Sequence, residues 1–356
     1  MINFAYMATR QSLIVVFTFL TRSLLGLVMA WVVSELMASV AFLIYLRLSI
    51  GPFALSFDLK RLVKFSFPLF LQDVANYAYT WFDRLALLTY LPLASLGVYT
   101  TAMTAFGVLN GVATAAGTSL FPAYSTLEGR HGSHALGESI RGATRYLCLV
   151  GVPLSFGLLS TAKPSLALFV GEAYAEGTWP LMVVSLFFAF TLTSTALASL
   201  PIVLGETLLS LKLTGLSIML GAGSTLILLP LLGMVGASIA RGITMVTSLV
   251  TTMIALRSRI RYSIDIEAFW KSLTSSGLMT AVVLLVQTYY YSKYLLPAYV
   301  VLGGSIYFLM LLISHAIKAE DISLLNEYLG PRFRFIVRPL ERLLANRSPR
   351  KSAVTD

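Results

Sequence analysis

Long apolar runs recur along the whole chain, and they constrain its fold more than any other feature. A helix needs about 20 mostly apolar residues to cross the hydrocarbon core of a bilayer. Runs of this kind predict ten spans, at 4–20, 25–46, 66–90, 96–120, 145–162, 179–204, 213–231, 235–256, 272–291 and 296–317. Charged residues make up only 12% of the 356, against about 25% in soluble domains. The expected fold is therefore all-α, a polytopic helical bundle in a membrane.

The basic residues predict how this bundle is oriented. If the N-terminus is cytoplasmic, alternating the loops between the two sides places most of the 26 Lys and Arg residues on the cytoplasmic side. Such an excess marks cytoplasmic loops, so we expect a protein of the cell membrane with both termini in the cytoplasm. The formal net charge of +10 then reflects topology. Membrane lipids are expected partners, whereas nucleic acid is not.

The third span carries a polar face. At 100° per residue, one arc collects Asp73, Asn76, Tyr77, Thr80, Asp83 and Arg84. Each ionisable residue costs about 2.5–3.5 kcal/mol in a span on insertion scales. Three charges on one face favour a water-filled cavity. The alternative is a set of polar contacts that join two helices.

The eighth span contributes Arg241, which lies about 10 Å from its outer end at 1.5 Å per residue. Arg84 lies at a similar depth in the third span, so the two guanidinium groups are expected to meet. Two such groups suit a diphosphate, because each can grip phosphate through paired hydrogen bonds. The alternative is that Asp83 neutralises Arg84 in a structural ion pair.

Two further spans contain polar residues. Glu35, near the middle of the second span, is either a proton-coupled carboxylate or the partner of a cavity arginine, and Arg22 lies at the outer entrance. In the fourth span, Gly107 and Gly111 predict a face that contacts another helix. The candidate substrate-binding residues are thus Arg84, Arg241, Asp83, Asp73, Asn76, Thr80, Glu35 and Arg22.

Catalytic motifs do not emerge from the sequence. His131 and His134 lie in a glycine-rich loop without a third metal ligand near them, so no metal site is predicted. We expect no catalytic residues, no cofactor and no enzymatic activity.

Several short segments resemble the polysaccharide-export flippases of the multidrug/oligosaccharidyl-lipid/polysaccharide superfamily. They are 62–71 (LVKFSFPLFL), 81–85 (WFDRL), 96–102 (LGVYTTA), 169–174 (FVGEAY), 204–207 (LGET) and 229–240 (LPLLGMVGASIA). The resemblance implies two six-helix lobes around a central cavity that opens alternately to either side. It also implies a polyprenyl-diphosphate-linked oligosaccharide as the substrate and polysaccharide-assembly glycosyltransferases as candidate partners.

The resemblance divides the chain into five parts. These are the last two helices of an incomplete first lobe (1–47), an interfacial amphipathic linker (48–65), a six-helix second lobe (66–256), a C-terminal helix pair (257–317) and a basic amphipathic cytoplasmic tail (318–356). The chain starts where the fifth helix of the family would stand. We therefore expect an N-terminal truncation, although a separate chain or a second copy would also complete the first lobe.

Three other functions fit parts of the pattern. A multidrug-type cation efflux carrier would use carboxylates such as Asp73 and Glu35, but Arg84 and Arg241 disfavour it. A membrane enzyme that joins lipid-linked sugars would need a long outer loop, and the longest predicted one is 163–178. A non-transporting remnant or assembly subunit fits the missing helices.

Overall fold

The computed structural model describes residues 2–50 and 58–316, and helices dominate them. The helices are α1 (Ile2–Thr21), α2 (Leu24–Ile50), α3 (Leu59–Tyr90), α4 (Leu93–His131), α5 (Ser133–Phe169), α6 (Thr178–Ala198), α7 (Leu200–Val203), α8 (Thr207–Arg257), α9 (Ile266–Tyr289) and α10 (Leu296–Ile313). No strand occurs in these two ranges. The predicted all-α fold is confirmed.

Seven helices of the described residues are long and apolar enough to cross a membrane, so the chain is a multi-pass membrane protein. The longest of them, α8, has 51 residues and would measure about 77 Å if straight. Gly233 interrupts it with φ 59° and ψ −139°, which divides it into α8a (207–232) and α8b (234–257). The first and third predicted spans coincide with α1 and α3, which are not among these seven. Each predicted span therefore overlaps at least one of the helices.

Two predicted features take a different form in the structure, apart from shifts at the ends of the helices. The predicted span 179–204 is broken, because α6 ends at Ala198 and Pro201 lies in the first turn of a separate short helix. Proline has no amide hydrogen, so it suits a first turn better than a helix interior. The glycine-rich loop predicted around His131 is replaced by a single-residue connection. There Gly132 adopts φ 70° between α4 and α5.

The core forms around α6. Helices α4, α5 and α8 all pack on it, and its residues are accordingly apolar around most of its circumference. Phe106 of α4 meets Phe188 of α6 edge to face, with ring centres 5.6 Å apart. The fold thus holds α4 and α8 on a common scaffold, and both helices contribute to the candidate site.

The chain divides into two compact units between Leu62 and Val63. In the first, α1 and α2 form a helical hairpin. Arg10 lies 4.0 Å from Glu35 and its guanidinium lies over the Trp31 ring. Part of the predicted linker 48–65 and the whole of the predicted tail 318–356 lie outside the described residues.

Candidate functional site

A charged cavity of about 140 Å³ lies between α3, α4 and α8b. Its lining consists of Thr80, Asp83, Arg84, Tyr99, Thr100, Met103, Thr104 and Arg241. Pockets that enclose whole ligands usually measure about 300–1,000 Å³. This cavity therefore has room for one charged group of a ligand rather than for a large molecule.

Asp83 and Arg241 form a salt bridge in the wall of the cavity. Arg241 donates hydrogen bonds from Nε (3.1 Å) and Nη2 (2.7 Å) to Oδ2 of Asp83. The carboxylate is only 1% exposed, and within the described residues its other oxygen has no hydrogen-bond partner. Removing either partner alone would leave the other charge buried and unpaired, so the bridge makes Asp83 of α3 and Arg241 of α8b depend on each other.

Arg84 lines the same cavity but does not share this bridge. Its guanidinium lies over the Trp81 ring, with Cζ 4.9 Å from the ring centre. The predicted alternative, in which Asp83 neutralises Arg84, is wrong, because the carboxylate faces Arg241. Adjacent residues of a helix point about 100° apart, which separates the two side chains. Arg84 is the half-buried cation of the cavity, without a carboxylate partner in the part of the chain described.

Helix α3 is joined to α8 by polar contacts at two further levels. Ser210 donates a hydrogen bond of 2.8 Å to the side-chain oxygen of Gln72, and the hydroxyls of Tyr79 and Thr244 lie 2.8 Å apart. Gly221 allows the second contact, because a Cβ atom there would lie 1.9 Å from the Thr244 hydroxyl. Sequence analysis missed Gln72 and Tyr79 as joining residues. Gln72, Tyr79 and Asp83 are separated by seven and four residues, so all three lie on one face of α3. This spacing was the available signal that they contact the same helix.

The remaining polar residues of α3 are exposed. Asp73, Asn76 and Thr80 are all exposed. Thr80, at the edge of the cavity lining, donates its hydroxyl hydrogen to the carbonyl oxygen of Asn76. The helix contact predicted at Gly107 and Gly111 is not made within the described residues, where both glycines are exposed and have open space above them. Instead, Thr100 and Thr104 on this side of α4 line the cavity. Water or a further protein surface suits such a polar face better than lipid does.

Two predicted site residues belong to the α1–α2 unit. Glu35 pairs with Arg10, a partner that the sequence did not indicate. Arg22 is exposed in the turn between the helices and has a positive φ of 44°.

Comparison with known proteins places these observations in context. A family model described as "Polysaccharide biosynthesis protein" matches residues 1–179, which include the cavity residues of α3 and α4. A solved structure described as lipid II flippase MurJ, in an inward closed conformation, matches with a TM-score of 0.69 at 15% identity. The match covers 86% of this chain and 65% of that one. At this identity, the match shows the fold alone.

A second solved structure, a MOP superfamily transporter from Pyrococcus furiosus, matches with a TM-score of 0.46 at 16% identity, over 76% of this chain and 67% of that one. A search of curated proteins found no sequence that matches this chain.

Proposed function

The chain belongs to the polysaccharide biosynthesis protein family, and from that premise we propose that it flips a polyprenyl-diphosphate-linked oligosaccharide across the cell membrane. Its termini lie in the cytoplasm, and the cavity opens alternately to the two sides. The protein moves its substrate without covalent chemistry, so it is not an enzyme. Glycosyltransferases of polysaccharide assembly are its candidate partners.

The observation that carries this proposal is that Arg84 and Arg241 line one small cavity. A diphosphate carries two phosphoryl groups, and a guanidinium group can bind each through paired hydrogen bonds. The cavity volume of about 140 Å³ suits a phosphate group. The saccharide then extends along the exposed polar face of α3, where Asp73, Asn76 and Thr80 offer hydrogen bonds.

Binding of the diphosphate changes the Asp83–Arg241 bridge and, with it, the contact between α3 and α8b. Arg84 has no carboxylate partner among the described residues, so it meets the diphosphate first. Arg241 binds the diphosphate only after releasing Asp83, because the Asp83 carboxylate occupies the place that a phosphate oxygen would take. An unpaired buried carboxylate is costly, so α3 must shift or Asp83 must take up a proton. Substrate binding thereby loosens α3 from α8b.

The alternatives are less well supported. A cation efflux carrier needs a carboxylate in the cavity that is available to its substrate, whereas Asp83, the carboxylate in this lining, is neutralised by Arg241. The role of an assembly subunit is favoured by one observation, the exposed polar face of α3, which a further protein surface would cover.

Reconstituted vesicles test the proposal. The full chain is placed in vesicles with a fluorescent polyprenyl-diphosphate saccharide, and an impermeant quencher measures how fast the lipid changes leaflet. We expect Arg84→Gln to slow this movement about tenfold or more, because it removes a charge-assisted hydrogen bond. Arg84→Lys should keep part of the activity, and Arg130→Gln, an exposed arginine outside the cavity, should match the wild type.

Two results would contradict parts of the proposal separately. If wild-type protein moves the lipid no faster than protein-free vesicles do, this chain is not a flippase by itself, and the subunit role gains support. If Arg84→Gln is as fast as wild type, Arg84 does not bind the diphosphate.

A further inference from the structure

Two neighbouring cavities lie at the basic end of the second unit. Their lining residues are different from those of the Asp83–Arg241 cavity. The larger, of about 690 Å³, is the polar cavity. It is lined by Gly137, Glu138, Arg141, Gly142, Arg145 and Tyr146 of α5 and by Arg261, Tyr262, Ser263 and Asp265 of the α8–α9 connection. Its volume is within the range of ligand-binding pockets.

The second, the apolar cavity, measures about 400 Å³ and shares Tyr262 and Ser263 with the polar cavity. Its other lining residues come from α5, α6, α8b, α9 and the α8–α9 connection. They are mostly apolar and include Cys148, Phe190, Leu249, Met253 and Phe269, together with the exposed Arg257. Tyr262 donates a hydrogen bond of 2.8 Å to the carbonyl oxygen of Met253, which fixes the shared wall. A polar cavity thus adjoins an apolar one at Tyr262 and Ser263.

Two arginines of the polar cavity are available for an anion. Arg145 is occupied, since it donates to the carbonyl oxygen of Ala316 at 2.9 Å. Asp265 is occupied as well, because its carboxylate accepts the Ala268 amide hydrogen at the start of α9. Arg141 and Arg261 are exposed and have no ion pair within the described ranges 2–50 and 58–316. The lining carries three arginines against two carboxylates, those of Glu138 and Asp265, so its net charge is positive.

The depth of the two cavities matches a lipid monolayer. Trp270 is 58% exposed on the first turns of α9, beside Lys271, and exposed tryptophan is typical of the membrane–water interface. Cys148 lies three residues further along α5 than Arg145, about 4.5 Å deeper. The polar cavity is therefore at headgroup level, and the apolar cavity lies on the hydrocarbon side.

We propose that these cavities bind an anionic phospholipid of the adjoining leaflet. Arg141 and Arg261 hold its phosphate, because guanidinium groups match phosphate geometry, and one acyl chain occupies the apolar cavity. The bound lipid joins α5 to the α8–α9 connection. This site is independent of the substrate cavity, since the two share no lining residue.

Photo-crosslinking tests the proposal. The full chain is placed in nanodiscs with a phosphatidylglycerol that carries a diazirine in its acyl chain, and adducts are mapped by mass spectrometry. We expect adducts at Cys148, Met253 and Phe269, and unlabelled phosphatidylglycerol should compete whereas phosphatidylcholine should not. The double variant Arg141→Gln/Arg261→Gln should lower the yield at these residues at least several-fold. Arg130→Gln, outside both cavities, should leave the yield unchanged.

The double variant Arg141→Lys/Arg261→Lys keeps the charge, so it should keep most of the labelling and separate a loss of charge from a loss of fold. Equal labelling of the glutamine variant and the wild type would overturn the proposal. Equal competition by phosphatidylcholine, or an absence of adducts at the lining residues, would do the same.

Discussion

Arg241 of α8b donates two hydrogen bonds to the same carboxylate oxygen of Asp83 in α3, at 3.1 and 2.7 Å. Together with the Tyr79–Thr244 and Gln72–Ser210 contacts, this bridge joins α3 to α8 through polar side chains at three levels. Apolar clusters also hold the bundle together, one around Leu87, Tyr99 and Leu229 of α3, α4 and α8 and one around Phe106 and Phe188. A charged ligand can replace one partner of a polar contact, whereas it cannot replace an apolar side chain in a packed cluster.

The Asp83–Arg241 bridge predicts strong coupling between its two residues. Arg241→Gln should destabilise the protein by about 3–5 kcal/mol, because it leaves a buried carboxylate unpaired. The double variant Asp83→Asn/Arg241→Gln removes both charges and should be more stable than Arg241→Gln alone. Unfolding of the purified variants in detergent measures both changes. Losses that simply add in the double variant would show that the two residues do not depend on each other.

Gly221 and Gly223 form a matched pair on α8a. A Cβ atom at Gly221 would lie 2.6 Å from the Tyr79 hydroxyl and closer still to Thr244, whereas one at Gly223 would meet nothing within 4 Å. Gly221→Ala should separate Tyr79 from Thr244 and destabilise the protein by at least the ~0.5–1.5 kcal/mol of one hydrogen bond. Gly223→Ala should be neutral or stabilise by up to about 1 kcal/mol, since alanine favours a helix. Equal unfolding temperatures for the two variants would contradict this prediction.

Gly233 is required where α8 breaks into two spans. Its φ of 59° with ψ of −139° belongs to a region that residues with a Cβ atom rarely adopt, at a cost of about 1–3 kcal/mol. Gly233→Ala should therefore lower the unfolding temperature, with Gly223→Ala as the control. An unchanged temperature would mean that the turn between α8a and α8b does not need this conformation.

The predicted orientation can be tested with single cysteines. Cys148 is the sole cysteine and is 1% exposed, so Cys148→Ser supplies a background without it. In that background, Ala175→Cys between α5 and α6 should react with an impermeant maleimide on intact cells. Ser258→Cys, after α8b, should react only once the membrane is opened. The reverse pattern would invert the topology and place both termini outside.

The site was partly predictable from the sequence. Asp83, Arg84 and Arg241 were recognised because charges inside an apolar run are conspicuous, and the similar depth of the two arginines follows from counting residues along each helix. The identity of the ion pair was not predictable in this way. Neighbouring residues seemed natural partners, yet Asp83 bonds to a residue 158 positions away. The roles of Tyr79 and Gly221 were missed for the same reason, since both depend on contacts with Thr244.

The sequence by itself determined the helical spans and the polar face of α3. Both are local properties, because apolar length must match the bilayer and side chains repeat every 3.6 residues. Only the tertiary structure decided that Asp83 faces Arg241, that Arg84 remains without a carboxylate partner among the described residues, and that Gly107 and Gly111 stay exposed. These outcomes depend on how each helix is rotated and offset against its neighbours. Rotation and offset are set by contacts between helices, such as the packing of Leu87 against Tyr99 and Leu229, which no single span encodes.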